Sequence, residues 1–420
     1  MPQFSIPLSG LDASSAALST TANNLANLNT IGYKDQQIQF ADLFYQNLGS
    51  NGAGDPIQEG AGVKVSSQPS NFNEGNVTST GISTDVAIDG NGFFVVEQNG
   101  VQSYTRAGNF EVGTNNLLET SAGQLVLGYP AVNGAVSTGQ GLGTLALGAG
   151  TISPATVTGN IALTSNLDAT AVVGSSYSTQ ATIYDSLGAS HNVTFTYTKS
   201  ATNTWGYSVS IPPGDLNPIK GVAQTGILAT GTLTFNGNGT LIGPVDAKGN
   251  LENITGIPIT GFADGASDMT FNWNLLNGTT PIISQLAGAS STSSIQQDGA
   301  SSGTLVNFNI GSDGIISGSF SNGKTAILGQ IALASFADEQ GLSHNGNNDF
   351  SPTLASGQPT IGGPGTGGLG SISGGALEQS NVDIATEFAN LIVAQRSYEA
   401  NARVVTTFDQ IAQDTIALKP

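Results

Sequence analysis

Side chains able to carry chemistry are few and scattered in this sequence. Its only histidines, His191 and His344, lie on separate segments, and with no cysteine the choice of nucleophile narrows to serine, threonine or a carboxylate. A carboxylate pair such as Asp338 and Glu339 is present, but glycosidase pairs obey no sequence spacing, and these two read as solvated surface charge. Residues 345–349 offer oxygen ligands for calcium, yet they lack EF-hand spacing and run into Phe350, so they read as a turn. Asp89, Gly90, Asn91 and Gly92 read as a hairpin turn. The string 362–368 is rich enough in glycine to suggest a phosphate loop, but the lysine such a loop needs is missing. It reads as part of a flexible tether, 356–375, with a Gly-rich bridge at 361–375. The residues therefore point away from an enzyme and imply no catalytic, cofactor-binding or metal-binding set and no cofactor. One binding alternative stays open, an extracellular β-rich glycan-binding protein using Trp205 or Trp273 as an exposed platform, although tryptophans are more often core residues.

Composition narrows the class further. The chain has 420 residues, 38% of them hydrophobic, enough for two or three domains with proper cores. Only 9% are charged, and Lys+Arg 10 against Asp+Glu 29 gives a net charge of −19. No Lys or Arg lies between Arg106 and Lys199, so no basic stripe is available for phosphates or anionic lipid, and nucleic acid and membranes are excluded as partners. No run approaches the ~18 apolar residues of a spanning helix. The amino terminus has no Lys or Arg before Lys34 and no continuous apolar core, so it does not read as a secretory signal peptide. A Cys-free, Lys-poor, acidic chain rich in Gly, Ser and Thr fits an exported surface protein, exported without a cleaved signal peptide.

The elements that would position these residues are helical at the ends and β in the middle. Apolar residues recur at helical spacing over 9–29 through Leu11, Leu18 and Leu25, with small residues between. The last forty residues repeat the pattern through Ile384, Phe388, Leu391, Ala394, Tyr398, Ala402, Val405, Phe408, Ala412 and Ile416. Ser9 with Asp12, and Ser380 with Asp383, read as capping pairs opening the two helices, and Gly32 can take a left-handed C-terminal position. The expected organisation is a helical coiled-coil core from 1–32 with 376–420, an extended connector at 33–72, a first β domain from 73–150 with 296–360, and an outer β domain inserted at 151–295. Short alternating strands between Gly/Asn turns make the middle a mainly antiparallel sandwich or barrel. Stripes at opposite ends are buried most simply against each other or against other copies, the signature of an assembly subunit.

Three stretches carry a specific resemblance. Asn23, Asn24, Leu25, Ala26, Asn27, Thr30, Gly32, Tyr33 and Lys34 are similar to the N-terminal signature of the flagellar rod and hook protein family. The text from Leu377 to Ala400 resembles that family's C-terminal signature. The stretch from Ser83 through Gly92 to Val95, with Tyr104, Thr105, Arg106, Ala107 and Gly108, resembles its first β domain. A more degenerate likeness, at Asn166 to Ala169 and Tyr184 to Gly188, points to the outer domain of the hook-type members, which the shorter distal rod-type members lack. The resemblance implies a structural subunit that polymerises into a hollow, flexible tube on the bacterial flagellum and passes motor torque to the filament as a universal joint. It implies copies of itself, rod, hook cap and hook–filament junction proteins and the flagellar type III export apparatus as partners. Leu11, Leu18, Leu25, Phe388, Leu391, Tyr398, Val405 and Phe408 are then the expected polymerisation residues.

Overall fold

The computed structural model describes residues 5–417 except 51, 53, 133, 149, 219 and 220, so residues 1–4 and 418–420 of the expected helical core lie outside it. One helix stands at each end, α1 (Ser5–Ala26) and α2 (Ile384–Ala417), and the described residues between them are strands, turns and short 3-10 segments. Helical ends with a mainly β middle is the architecture the periodicities predict.

The helix starts differ from the expected capping pairs. Helix α1 begins ahead of Ser9, whose hydroxyl therefore sits inside it, donating to the Ile6 carbonyl at 2.8 Å and accepting from the Val63 N–H at 3.2 Å. For α2 the cap is Asp383 itself. Its carboxylate accepts from the Thr386 N–H at 2.7 Å, satisfying one of the helix's orphan donors. These hydrogen bonds hold the Asp383 carboxyl below its ordinary value. Helix α1 ends at Ala26, and Gly32 takes its left-handed conformation (φ 67°) beyond the helix, not at its terminus.

The chain divides into two compact units, one of residues 1–149, 307–318 and 326–420, the other of 150–306 and 319–325. In the second unit, Ser176–Tyr184, Ser190–Ala201, Thr204–Ser210, Ile227–Phe235 and Leu241–Gly243 form one antiparallel sheet. Asn160–Asp168 anchors the other, pairing with Met269–Asn274, Ile283–Leu286 and Ser291–Gln297. Alternate residues of both sheets meet in one apolar core containing Phe195, Trp205, Phe271 and Trp273, the arrangement of a sandwich. Trp205 and Trp273 are only 1% and 0% exposed, which removes the exposed platforms of the glycan-binding alternative.

In the first unit, Phe93–Gln98 pairs with Val101–Thr105 and, along its other edge, with Leu125–Val132 and Leu333–Ser335. It is covered on both faces. Phe94 and Val96 enter one core, and Phe93 and Val95 a second, where Phe93 packs against Phe72, Phe336 and Phe350 at ring distances of 5.5–5.8 Å. Several expected loops are built into this unit. The glycine-rich tether is woven in, with Thr360–Gly362 paired to Leu333–Ser335 and Ser371–Gly374 to Val86–Asp89. Its glycines permit close backbone approach: a β-carbon at Gly370 would collide with the Asp89 carbonyl. Residues 89–92 join strands of different sheets and are not a hairpin turn. Ala376–Glu378, expected in the helical core, is a strand paired with Val77–Ser79. The expected extended connector folds back as two antiparallel ladders, Gln39–Asp42 with Val63–Ser67 and Gln46–Ser50 with Pro56–Glu59.

Since both tryptophans are buried in the second unit, their fluorescence reports its unfolding alone. Leu163→Ala in that core is expected to lower its stability by about 3 kcal/mol, read as a shifted denaturant midpoint of tryptophan emission; an unshifted midpoint would show that Leu163 is not a core residue.

Candidate functional site

The three motif stretches converge on one buried carboxylate. Lys34, the last residue of the N-terminal motif, donates from Nζ to Glu378 Oε1 at 2.6 Å and to the Asn73 carbonyl at 2.8 Å. Arg106 Nη1 lies 3.6 Å from the other oxygen, Oε2, and its guanidinium rests over the Phe93 ring at 5.3 Å. All three side chains are at most 2% exposed. The Gly75 N–H donates to Glu378 Oε1 at 2.8 Å, and the Gly32 N–H to the Glu378 carbonyl, also at 2.8 Å. Gly32 is glycine for a steric reason as well as its φ: a β-carbon there would lie 2.6 Å from the Arg106 backbone. Burial lowers the Lys34 ammonium below its ordinary value and Glu378 pulls it back up; Arg106 is governed by the same opposition.

The asparagines of the motif fasten the end of α1 to the chain that follows. Asn24 donates from Nδ2 to the Gln36 carbonyl at 2.9 Å, and its Oδ1 accepts from the Gln36 N–H at 3.0 Å and the Tyr33 hydroxyl at 3.1 Å. Asn23 donates to the Tyr33 hydroxyl and Asn27 to the Asn23 carbonyl, while Thr30 donates to Asn27. From the other end, Asn381 accepts from the Asp35 N–H at 2.8 Å and donates to the Asn71 carbonyl at 2.7 Å.

Above this clasp, α1 and α2 pack along each other. They run antiparallel, since Ile6 and Pro7 lie with Val404 and Phe408 around one pocket, while Thr20 and Thr21 share another with Glu387. The seam is built from small and polar residues. Ala13, Ser14, Thr20, Thr21 and Asn24 are the buried positions near it on α1, and Glu387 and Ala394 on α2; Asn401 Nδ2 reaches Ser14 Oγ at 3.4 Å and abuts Gly10. The larger residues flank it: Leu11, Leu18, Leu25, Leu391, Val405 and Phe408 are half-buried, and Phe388 and Tyr398 are exposed.

The comparisons with known proteins follow the same order along the chain. Family models described as the flagella basal body rod protein, the flagellar hook protein FlgE/F/G D1 domain, the flagellar basal body protein FlaE D2 domain and the flagellar basal body rod FlgEFG protein C-terminal region match residues 6–34, 87–170, 153–300 and 373–418. The flagellar hook protein FlgE of Escherichia coli K12 is 36% identical over 430 residues, covering 99% of this chain and 100% of the relative. That of Borreliella burgdorferi B31 is 32% identical, covering 98% of each. The chain belongs to the flagellar hook protein family. It is a structural subunit of the flagellar hook and serves motility. Among solved structures, the Helicobacter pylori flagellar hook protein FlgE2 aligns at a TM-score of 0.49 and 14% identity, over 72% of this chain and 100% of that one.

Within the segment matched by the hook D2 family model, His191 sits among carboxylates. Its Nε2 is 3.0 Å from Asp185 and 3.4 Å from Asp264, and its Nδ1 3.2 Å from Asp215. Asp185, His191 and Asp264 are the group with metal-ligand atoms in reach of one another among the described residues. With a carboxylate at each ring nitrogen, the imidazole serves as a double donor, the charged form, whereas a metal requires the neutral ring. Burial lowers the His191 value, but the hydrogen bonds to Asp185 and Asp215 outweigh it and raise the ring above 6.5. Burial likewise opposes, and hydrogen bonds from His191 and from the Ala189 and Leu187 N–H groups outweigh it, so that Asp185 falls below its ordinary value. The other histidine, His344, packs on Phe350 and bonds Ser70 in the first unit. Residues 345–349 form the turn of a hairpin between Ser343–Gly346 and Asp349–Ser351, with Asn347 and Asn348 left-handed.

Sequence reading quoted Lys34, Arg106 and Glu378 inside separate motifs without joining them. The available signal was scarcity: three of only ten cationic residues, Lys34, Arg106 and Arg396, fall inside those motifs, and the first two are the ones that meet Glu378.

Two outcomes are expected. Glu378→Gln leaves two buried cations without a countercharge and should cost the first unit about 3–5 kcal/mol, measured by hydrogen exchange at its core amides; wild-type protection would refute the clasp. A raised histidine stabilises fully below its unfolded value and loses that contribution as pH climbs through its folded value, while a depressed aspartate loses its contribution as pH falls. Unfolding of the second unit, followed by tryptophan emission, should therefore show a plateau between roughly pH 4 and 6.5 and a decline above it. The decline should flatten in His191→Gln.

Proposed function

We propose that this chain assembles with copies of itself into a hollow tube, with α1 and α2 as its innermost, coiled-coil layer, and that the tube bends while passing torque from motor to filament. The observation that carries this reading is the outward face of α2. Ile384, Phe388 and Ile392 are 48%, 52% and 54% exposed and follow one another at four-residue spacing, one apolar strip along one side of the helix. Apolar surface of this kind marks a contact with another protein. A contact between two different faces of one subunit does not close on itself and propagates as a helical filament.

In this reading Leu11, Leu18, Leu25, Phe388, Leu391, Tyr398, Val405 and Phe408 divide between holding α1 to α2 and meeting neighbouring copies. The expected inserted domain, 151–295, falls within the second unit, 150–306 with 319–325, and its polar surface gives modest, exchangeable contacts that suit bending. The chain works outside the cell without catalysis. Its further partners are rod, hook cap and junction proteins at the tube's ends and the flagellar export apparatus on the way out.

Replacing Phe388 and Ile392 by Asp in the full chain is expected to raise the concentration needed for tube formation at least about tenfold, scored by sedimentation and negative-stain images, with circular dichroism of the monomer unchanged. Tubes formed at the wild-type concentration would overturn the assignment of assembly to this face.

A further inference from the structure

Between α1, α2 and the chain after Lys34 runs a groove of about 750 Å³. Its lining is lopsided in charge: Asp35, Asp383 and Glu387 contribute, and no Lys or Arg does. Two of the three acids are buried, Asp35 and Glu387 each 8% exposed. Asp35 Oδ1 and Glu387 Oε2 have no hydrogen-bond partner among the described residues; the other oxygen of Glu387 is only weakly engaged, by Asn390 at 3.4 Å. Burial, with the negative charges of Asp35 and Glu387 behind it, pushes the Tyr33 phenol above its ordinary value. Buried carboxylates left unpaired are costly. Among the described residues no cation pairs with these two, because the nearby ones, Lys34 and Arg106, are committed to Glu378.

The same helix carries the complement on its other side. Arg396 and Arg403 are the cationic residues of α2, both exposed and in no ion pair among the described residues. Arg396 lies nine positions beyond Glu387, which at about 100° per residue is half a turn round the helix. Arg403 follows one heptad later on the same outward face. An acidic groove on one side and an arginine row on the other give one subunit two different, mutually complementary surfaces.

We infer that the groove between α1 and α2 is a receptor for a guanidinium from a second copy of this chain, Arg396 entering beside Glu387 and Asp35 with Arg403 at its rim. This rests on the self-assembly reading above and adds what sets the register of neighbouring subunits. Arginine suits the role because its planar fork can satisfy two carboxylate oxygens at once and is weakly hydrated, so it surrenders little on entering a half-buried site. The apolar strip supplies attraction without direction; the ion pair, made only at one stagger, supplies alignment.

The test uses the full-length chain. If wild type forms no tubes, the self-assembly reading itself fails. If it does, the double variant Arg396→Glu with Arg403→Glu should need at least about tenfold more protein to assemble, with monomer thermal unfolding unchanged, since both residues are exposed. Adding Glu387→Arg to that variant should recover most of the loss. Because the chain is cysteine-free, a second arm needs no buried substitution: mixed tubes of Arg396→Cys and Asn390→Cys chains should cross-link between subunits with a short bis-maleimide. Assembly indifferent to arginine reversal, no cross-link in formed tubes, or assembly abolished by a chelator and restored by magnesium regardless of the arginines would each overturn the inference.

Discussion

A carboxylate held between two cations, away from water, is the constraint on which the first unit depends. Glu378 is the point where the N-terminal motif, the first β domain and the strand leading into α2 are tied together. A buried ion pair adds little stability compared with apolar packing of the same volume, but it is unforgiving, since removing any one member leaves an uncompensated charge. Its value is specificity. Apolar surfaces would let the chain ends dock in several registers, whereas three charged groups and the backbone amides of Gly32 and Gly75 are satisfied together in one.

That constraint allows the helix pair itself to be built from weak materials. With small residues in the seam, α1 and α2 approach closely while burying little apolar area, and the leucines and aromatic residues are displaced to the flanks. Helix α1 is rich in Ser, Thr and Asn, residues of low helix propensity, so its order rests on α2, on the asparagine bonds at its end and on the clasp beneath. The pattern of exposure is thus divided along the helix pair: polar and small groups are buried, and the larger apolar groups stand half-buried or exposed.

Much of this was legible from residue order. The β sandwich of the second unit was legible as a class, because half-buried antiparallel strands alternate and their turns are marked by Gly and Asn. The two helices were legible from their periodicity, and the motif text pointed to the family. What was not legible has a common physical origin. Glycine in 356–375 was read as freedom, whereas at Gly370 it answers to a backbone packed directly overhead, and that neighbour is distant in sequence. Leu11, Leu18 and Leu25 were singled out for their helical spacing, but spacing did not show that they stand half-buried beside a seam of smaller residues. The clasp was invisible as a unit: charge pairing across several hundred residues leaves no periodic trace.

The separation of the clasp's partners has a kinetic consequence. Lys34 and Glu378 stand 344 positions apart, so their bond closes a loop holding most of the polypeptide. Such closure is entropically expensive in a loose chain and far cheaper once the intervening strands have condensed and hold Arg106 and Phe93 in place. Loop-closure entropy thus favours a folding order in which the β body of the first unit condenses before its terminal segments are fastened.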